Sequence, residues 1–390
     1  MPAIRTITSN PDLQAFIDGL SGEEFVTIDT EFIRETTYWP HLCLVQLAGS
    51  NEAVLVDPLA PGIDLKPLND LFQSEITCVF HAGRQDLEIF HNLFHSLPRH
   101  VADTQIMAMV CGHGDQVGYE RLVEHLCDKK IDKSQRFTDW ARRPLNDAQR
   151  RYALADVTHL REIYAKLHEE LSHQKRWDWL LREHEKLIDL ANYRHEPSNA
   201  WQRLRLRDSN EKHLPAIMAL AEFREKKAQE RNVPRNRVFK DEALLQIAMA
   251  RPRSKEELYS LRSIKQQGLD GRLIEELIGI LDSDLDSRQG PVLKKSPKGK
   301  KPETMISMLK LLLKIASEQH GVAARLLATS EEIDEFARGR PGPEPDDWRY
   351  ELFWGMAEGF RSGELGLSWD SKKNDVRIFS PNLKQHLAQD

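Results

Sequence analysis

The fold is decided by the stretch Phe25-Val-Thr-Ile-Asp-Thr-Glu31, which alternates, is rich in β-forming residues and therefore predicts a strand. Two further strands are predicted over Leu42–Ala48 and Ala53–Val56, separated by a four-residue spacer that suits a hairpin loop. A helix is expected over Leu65–Phe72, and another strand over Ile76–Phe80. Antiparallel strands followed by alternating strands and helices predict an α/β domain, with a mixed sheet flanked by helices.

The length of 390 residues predicts two or three domains, because single cores seldom grow that large. Apolar residues make up 40% of the chain, and none of its apolar runs reaches the roughly 20 residues of a membrane span. The N-terminus lacks the charged and apolar regions of a signal peptide. The four cysteines stand at irregular spacings without a CxxC pair, which favours free thiols in a reducing compartment. We therefore expect a cytoplasmic protein without membrane contact.

The distribution of charge is more informative than its sum. The net charge is −6, from 55 basic and 61 acidic residues. However, the stretch Lys129–Arg151 has eight basic and three acidic residues, and Ala221–Lys240 has seven and three. A third basic stretch, Lys294–Lys301, has five lysines and no acidic residue. Basic stretches are often only solvated faces, but these three favour a polyanionic partner.

The chain becomes helical after about Thr104. A long helix is predicted from Asp147 to about His173, with Asn146 and Gln149 as the capping box at its start. We predict an α/β domain over residues 1–200, followed by two all-α helical domains over 208–285 and 304–375. Residues 286–303, rich in Asp, Ser, Gly, Pro and Lys, are interpreted as a linker, and residues 376–390 as a tail.

Four acidic residues and one tyrosine form the candidate site. Asp29 and Glu31 are two apart on a predicted strand, so their side chains share one face. Asp86 falls in the first turn of a helix that follows a strand, beside the crevice where ligands gather in α/β sheets. Tyr152 and Asp156 are one helical turn apart and share a face. Carboxylates gathered from distant segments favour a site for hard divalent cations.

Each of these signals also has a purely structural explanation. Asp29 and Glu31 could be solvated acids at a strand end, Asp86 could interact with a helix dipole, and Tyr152 could simply pack against the sheet. Asp103 competes with Asp86 for the third ligand position. Because Asp103 precedes Thr104 at a predicted helix start, it is better explained as a helix cap, and Asp86 is preferred.

The motifs together resemble a known family. Residues 1 to about 200 resemble the DEDD superfamily of 3′-to-5′ exonucleases, which have an RNase H-like fold. Tyr152-Ala-Leu-Ala-Asp156 is similar to the motif of the tyrosine-containing branch. Asp29-Thr-Glu-Phe-Ile-Arg-Glu-Thr-Thr-Tyr-Trp-Pro40, His81-Ala-Gly-Arg-Gln-Asp86 and Arg143-Pro-Leu145 are most similar to the ribonuclease D family. Residues 208–285 resemble an HRDC domain, and residues 304–375 resemble a second HRDC-like domain more weakly.

This resemblance implies a mechanism and a substrate. Asp29, Glu31, Asp86 and Asp156 would hold two divalent ions, Mg²⁺ or Mn²⁺, and Tyr152 would orient the attacking water. The implied activity is 3′-to-5′ removal of nucleotides from RNA as 5′-monophosphates, with precursor tRNA 3′ ends as the substrate. A monomer without organic cofactor is expected. Phosphate contacts in the HRDC-like domain are predicted for six basic residues: Arg224, Lys226, Lys227, Arg231, Arg235 and Arg237.

Two other functions remain open at the sequence level. A DNA exonuclease of the proofreading type uses the same acidic residues, although the HRDC-like domains favour RNA. A nucleic-acid-binding protein with an inactive nuclease domain is the alternative from a different class. The complete set of four acids and Tyr152 argues against it, because an inactive site usually lacks one ligand.

Overall fold

A computed structural model describes residues 4–132, 134–206, 212–265, 271–283, 285 and 302–380. Its N-terminal domain is built on a six-stranded mixed sheet of order β1-β4-β3-β2-β5-β6. The strands are β1 Thr6–Ile7, β2 Phe25–Ile33, β3 His41–Ala48, β4 Ala53–Val56, β5 Thr77–Phe80 and β6 Val101–Asp103. Strand β2 lies inside the sheet, antiparallel to β3 and parallel to β5, so its residues are held on both edges.

The predicted strands and hairpin are confirmed. The spacer between β3 and β4 closes through a hydrogen bond from the Gly49 N–H to the Glu52 carbonyl, 2.9 Å long. Strands β1 and β6, of two and three residues, were not predicted, because runs this short carry no periodic pattern.

Seven helices of this domain cover the sheet. They are α1 Asn10–Gly19, α2 Lys66–Phe72, α3 Arg84–Phe94, α4 Thr104–Cys111, α5 Tyr119–Cys127, α6 Asp147–Gln174 and α7 Trp177–Leu187. The capping box of α6 is confirmed, since the Asn146 side chain accepts from the Gln149 N–H and the Gln149 side chain accepts from the Asn146 N–H. Short 3₁₀ helices over Leu190–Asn192 and Pro197–Arg203 lead to the next unit.

The two faces of β2 pack against different helices. Ile28 belongs to an apolar cluster with residues of α1, α2 and α3, including Phe16, Leu68 and Phe90. The opposite face carries Thr27, whose hydroxyl donates to the Val157 carbonyl of α6 at 2.8 Å. Alternate residues of β2 therefore face α6, and these include Asp29 and Glu31.

The second unit is helical, as predicted. Its helices are α8 Leu214–Glu230, α9 Arg235–Val238, α10 Asp241–Ala250, α11 Lys255–Ser260, α12 Arg262–Lys265 and α13 Gly271–Asp282. Its apolar core includes Leu220, Leu244 and Ile274, and it also takes in Tyr38 from the connection between β2 and β3. The second unit is therefore docked on the first through a buried aromatic residue.

The third unit is mostly helical and ends in a hairpin. It comprises α14 Glu303–His320, α15 Ala324–Leu327, α16 Ser330–Ala337, a π-helical turn over Tyr350–Trp354, α17 Gly355–Ser362, β7 Gly366–Asp370 and β8 Asp375–Phe379. The two strands pair only with each other. The hairpin was not predicted, and β8 occupies positions that were interpreted as the start of the tail.

Several predictions fall on residues outside the described ranges. These are the start of the first helical unit at 208, most of the linker over 286–303, the lysine stretch 294–301 and the last ten positions of the tail. Among the helices in the described ranges, none combines the length and apolar character that crossing a bilayer requires.

Candidate active site

Three of the predicted acidic residues meet beside the sheet. Asp29, Glu31 and Asp156 each offer a carboxylate oxygen, and these oxygens all lie within 4.8 Å of one another. The first two residues come from β2 and the third from α6, more than a hundred positions later in the chain. The folding of α6 onto β2 therefore brings together three of the four acidic residues in the predicted set.

The position of α6 on β2 is fixed next to this group. The Thr27 hydroxyl holds the carbonyl of Val157, the residue that follows Asp156. One turn further along α6, the Arg161 guanidinium donates to the carbonyls of Phe25, at 3.2 Å, and Ala48, at 2.9 Å. These contacts set the distance from Asp156 to Asp29, and none of them needs a bound ion.

A β-bulge lies opposite Glu31 and Phe32, with Cys43 of β3 as the extra residue. The pairing of β2 with β3 shifts register between Glu31 and Phe32. Such bulges are common beside active sites, because they bend a strand and redirect a side chain. The bulge lies at the end of the predicted strand, so alternation still places Asp29 and Glu31 on one face.

Asp86 approaches the group from the α3 side of β2. It lies in the first turn of α3 and is 7% exposed. The Thr30 hydroxyl donates a hydrogen bond to its Oδ1 atom, so Asp86 is bonded to the face of β2 opposite Asp29. Its negative charge still raises the pKa of Glu31. Asp86 is thus a neighbour of the three-carboxylate group in this structure and lies outside that group.

Asp103 has the structural role that the sequence analysis favoured. Its carboxylate accepts hydrogen bonds from the Gln105 N–H at the start of α4 and from the N–H groups of Ala82 and Gly83, at 2.8, 3.0 and 2.9 Å. These contacts fix the turn between β5 and α3, which carries Asp86. Asp103 therefore positions a site residue, and its oxygens are already occupied.

The carboxylates are difficult to ionise together. Burial, followed by the charge of Asp156, raises the pKa of Asp29 to about 8. Burial and the charges of Asp29, Asp156 and Asp86 raise the pKa of Glu31 to about 10, against a smaller lowering by Arg136. Burial also raises the pKa of Asp156 to about 7, although a hydrogen bond from Tyr152 opposes this shift.

A divalent cation would relieve this repulsion directly. The donor set contains only carboxylate oxygens, which suits hard cations such as Mg²⁺ or Mn²⁺ and suits zinc poorly. Within the described ranges, no other group of three or more potential ligands is close enough to hold a metal ion. The residues present therefore fit a metal centre of this kind.

Tyr152 lies one turn before Asp156 on α6. Both residues line a cleft that also contains Asp29. Burial raises the pKa of Tyr152 well above the usual range, and the charges of Asp156, Glu31 and Asp29 raise it further. A tyrosine with such a pKa stays protonated at neutral pH and cannot serve as a general base. Its hydroxyl can instead donate or accept a hydrogen bond and orient a water molecule.

The cleft has a volume of about 430 Å³ and is lined mainly by residues of β2, α4, α5 and α6. Besides Asp29, Tyr152 and Asp156, its lining includes His81, Tyr119 and Arg136, which the sequence did not single out as site residues. The Tyr119 hydroxyl donates to the Asp156 carbonyl and so supports α6. His81 stands in the quoted motif that ends at Asp86, and Arg136 stands in the first basic stretch, but neither position carried a signal of its own.

The predicted phosphate contacts of the second unit need one correction. Arg224 is only 3% exposed, and its guanidinium donates to the Phe239 carbonyl at 3.0 Å and pairs with Asp241 at 2.7 Å. It is a core residue that joins α8 to the start of α10. A buried arginine needs such partners, because burying an unpaired charge is costly. Arg224 is therefore removed from the predicted set.

The other five basic residues of the predicted set differ in their exposure and in their ion pairs. Lys226 and Arg237 are exposed, and Lys226 pairs with Glu222 on the same helix. Lys227 pairs with Glu276 at 2.7 Å, and Arg235 pairs with the buried Glu225 at 2.5 Å. Arg231 is exposed at the end of α8. Phosphate binding by these five residues stays a prediction.

Comparisons with known proteins agree with this fold. Residues 4–172 match the family model described as 3′-5′ exonuclease, and residues 214–281 match the HRDC domain model. The class defined by the fold and the acidic site is thus a 3′-5′ exonuclease with a helical domain attached.

The relatives identify the family. Ribonuclease D of Gluconacetobacter diazotrophicus is 45% identical, with 94% of this chain and 95% of that protein covered. Ribonuclease D of Granulibacter bethesdensis is 43% identical, with coverage of 95% and 96%. The crystal structure of Escherichia coli RNase D, described as an exoribonuclease involved in structured RNA processing, matches with a TM-score of 0.77, 29% identity and coverage of 92% and 99%.

The chain belongs to the ribonuclease D family. It is a hydrolase that acts as a 3′-5′ exoribonuclease, so its substrate is RNA. Exonucleases of this family depend on metal ions, and the acidic cluster beside β2 is the place where this chain could hold them. The resemblance stated from the motifs is thereby confirmed, as are the fold class and the enzymatic activity.

Proposed function

We propose that this enzyme removes nucleotides from the 3′ ends of precursor tRNA as 5′-monophosphates, with two Mg²⁺ or Mn²⁺ ions held by Asp29, Glu31, Asp86 and Asp156. The observation that carries the proposal is the meeting of three carboxylates, those of Asp29, Glu31 and Asp156, within 4.8 Å of one another. Two of them, Asp29 and Asp156, line a cleft together with Tyr152. Like charges at this distance are stable together only when they are protonated or share a cation.

The metal ions, when bound, would activate a water nucleophile and stabilise the departing 3′ oxygen. The protein's own residues supply the position of these groups. β2 and α6 hold Asp29 and Asp156 at a fixed separation, and Tyr152 orients the nucleophilic water through its hydroxyl. Arg136 lies in the cleft and offers a positive charge to the phosphate that is cleaved.

The substrate proposal rests on the family and on the second unit. The E. coli relative is described as processing structured RNA, and precursor tRNA is a structured RNA with a free 3′ end. The HRDC match over residues 214–281 supplies a second domain suited to nucleic acid. Lys226 and Arg237 are exposed there and suit contacts with phosphate.

A monomer in the cytoplasm is proposed on two further observations. One chain supplies Asp29, Glu31, Asp156 and Tyr152, so the cleft does not need a second copy to be complete. All four cysteines are free and buried, which suits a reducing compartment.

The test is the activity of Asp156→Asn on precursor tRNA, single-stranded RNA and single-stranded DNA, with and without Mg²⁺ or Mn²⁺. We expect the parent protein to release 5′-monophosphates from RNA only with metal. Asp156→Asn should lose more than roughly a hundredfold in rate, because even residues that merely support a metal ligand contribute 10- to 100-fold. Tyr152→Phe should lose roughly a hundredfold in rate, as expected when a residue that positions the nucleophile is removed.

Thermal unfolding in EDTA provides the folding control. Asp156→Asn removes one of several repelling carboxylates, so its melting temperature in EDTA should equal or exceed that of the parent protein. Addition of Mn²⁺ should stabilise the parent and leave the variant unchanged. A variant that trims RNA at the parent rate would refute the site, and a preference for DNA would refute the RNA substrate.

A further inference from the structure

An exposed aromatic residue stands beside the catalytic cleft without a role in the fold. Phe137 is 91% exposed, the highest exposure of any large hydrophobic residue in the described ranges. It follows Arg136, which lines the cleft together with Asp29 and Tyr152. The ring centroid of Phe137 lies 5.3 Å from the guanidinium carbon of Arg136.

The segment that presents Phe137 is held firmly on its C-terminal side. Trp140 is 3% exposed, and its ring lies 6.1 Å from that of Tyr152. The Thr138 hydroxyl donates to the Gln135 carbonyl at 2.8 Å and accepts from the Gln149 side chain at 3.1 Å. The backbone around Phe137 is thus tied to α6, and the same helix carries Tyr152 and Asp156.

The segment is also anchored to the sheet domain. Arg143 pairs with Asp57 through two nitrogens, at 2.6 and 2.7 Å, and donates to the Cys43 carbonyl at 2.6 Å. A segment with so many fixed contacts could have buried its one phenylalanine in the neighbouring core. The anchors instead hold the Phe137 ring in water, beside Arg136 at the edge of the cleft.

We propose that Phe137 is a stacking platform for a nucleobase of the RNA strand near its 3′ end. Single strands are gripped by aromatic side chains that stack on bases beside cationic groups that contact phosphates, and Phe137 and Arg136 form such a pair. Every base has an aromatic face, so the contact would be tolerant of sequence, as the trimming of varied 3′ ends requires. The proposal rests on the exoribonuclease activity and adds a substrate-positioning residue to it.

The test compares Phe137→Ala, Phe137→Leu and Phe137→Trp on single-stranded RNA of increasing length. Loss of one stacked base should raise KM for Phe137→Ala roughly tenfold, equal to about 1.4 kcal/mol, with a small change in kcat. Phe137→Trp should retain the parent KM. Phe137→Leu, which keeps an apolar side chain without an aromatic face, should behave like Phe137→Ala. Trp369→Ala, at another exposed aromatic position on β7, is the control and should keep the parent KM.

A second measurement locates the base. Oligoribonucleotides carry a single abasic position at successive distances from the 3′ end. The parent enzyme should lose affinity at one of these positions, and Phe137→Ala should lose nothing further there, because one contact cannot be removed twice. Two results would overturn the proposal. One is an equal loss of affinity in the parent enzyme and in Phe137→Ala at every abasic position. The other is a Phe137→Ala variant with the parent KM. A parent enzyme that does not trim RNA would instead refute the proposed function itself.

Discussion

Gly83 shows how a single residue shapes the site. It stands between β5 and α3, and its N–H donates to Asp103. A Cβ atom placed on it would overlap the side chain of Phe80, with Phe80 Cγ only 2.8 Å away. Phe80 is fully buried and cannot move aside. A glycine is therefore required here, and the turn it permits sets the position of Asp86.

We predict that Gly83→Ala reduces stability by about 1–3 kcal/mol, because it forces extra volume into a packed core. The displaced turn should also reduce the RNA-trimming rate, since Asp86 follows it. Urea unfolding and single-turnover RNA cleavage would measure the two effects. Gly19→Ala is the matched control, because a Cβ on Gly19 in α1 meets nothing within 4 Å. Equal stability of the two variants would contradict this account.

The sequence predicted which candidate residues lie together where the rule was local. Residues two apart on a strand, or four apart on a helix, share a face. Asp29 could therefore be placed beside Glu31, and Tyr152 beside Asp156, from the sequence. The hydrogen bond from Thr30 to Asp86 and the burial of Arg224 depend on contacts between distant segments. No local pattern indicates such contacts, which is why Arg224 was wrongly placed among the phosphate contacts.

At the level of elements, a buried glutamate joins α8 to the connection after β2. Glu225 is fully buried and accepts a hydrogen bond from the Tyr38 hydroxyl. It also pairs with Arg203 at 3.0 Å and with Arg235 at 2.5 Å. Nearby, the Asn232 side chain accepts from the N–H groups of Tyr38 and Trp39, at 3.1 and 3.0 Å. The HRDC domain is thus docked on the segment that follows the catalytic strand.

We predict that Glu225→Gln destabilises this docking by about 1–3 kcal/mol at neutral pH, since it leaves the charged partners without a carboxylate. Glu222→Gln, at the partly exposed pair with Lys226 on the same helix, is the control and should cost at most about 0.5 kcal/mol. Urea unfolding of the full chain, with limited proteolysis near Tyr38, would report the effect. Equal stability of the two variants would show that the network contributes little.

The same network predicts a pH dependence. Burial alone would raise the pKa of Glu225, but hydrogen bonds from Arg235 and Tyr38 and the arginine charges outweigh it and lower the pKa. A lowered pKa gives stability that is complete above the unfolded value, about 4.3, and is lost as the pH falls through the lower folded value. The difference in unfolding free energy between the parent and Glu225→Gln should therefore shrink only below that pH. A difference that shrinks near neutral pH would contradict the assignment.

Element length decided which parts of the fold the sequence could predict. Helix α6 is 28 residues long with a capping box, and β2 and β3 have nine and eight residues, so their patterns were clear. Strands β1 and β6 are formed because the sheet offers them an edge, which short runs cannot reveal. Both strands of the hairpin β7–β8 alternate polar and apolar residues, but each is only five residues long and partly buried. The predicted helical unit was therefore extended into it.

At the scale of the whole molecule, the units are less separate than the sequence indicated. One apolar cluster contains Met107 of α4, Leu160 of α6 and Leu312 of α14. Arg176 donates to the carbonyls of Val110 and Gly321, at 2.8 and 2.7 Å. It therefore connects the first unit, which contains Val110, to the third, which contains Gly321. Composition predicts a polar connection before the third unit, but it cannot show that the third unit shares a core with the first.

This shared core predicts that the exonuclease domain and the third unit unfold together. Trp354 is 1% exposed, stacks edge-on against Phe336 at 5.2 Å and donates to the Leu327 carbonyl at 2.9 Å. Trp354→Ala should lower the free energy of unfolding by about 3–5 kcal/mol, the range for a buried aromatic residue. Because the cluster continues into α4 and α6, the urea midpoint for loss of RNA trimming should fall by as much as the midpoint for loss of helical signal.

Trp369→Ala is the control for this prediction, because Trp369 is 62% exposed and lies in the terminal hairpin. It should leave both midpoints unchanged, since exposed positions away from special contacts usually contribute less than about 0.5 kcal/mol. An activity midpoint that stays fixed in Trp354→Ala while the helical signal falls early would show that the third unit unfolds by itself. In that case the shared cluster would be a contact between independent domains. If both midpoints fall together, the third unit stabilises the active site by completing the core behind α4 and α6.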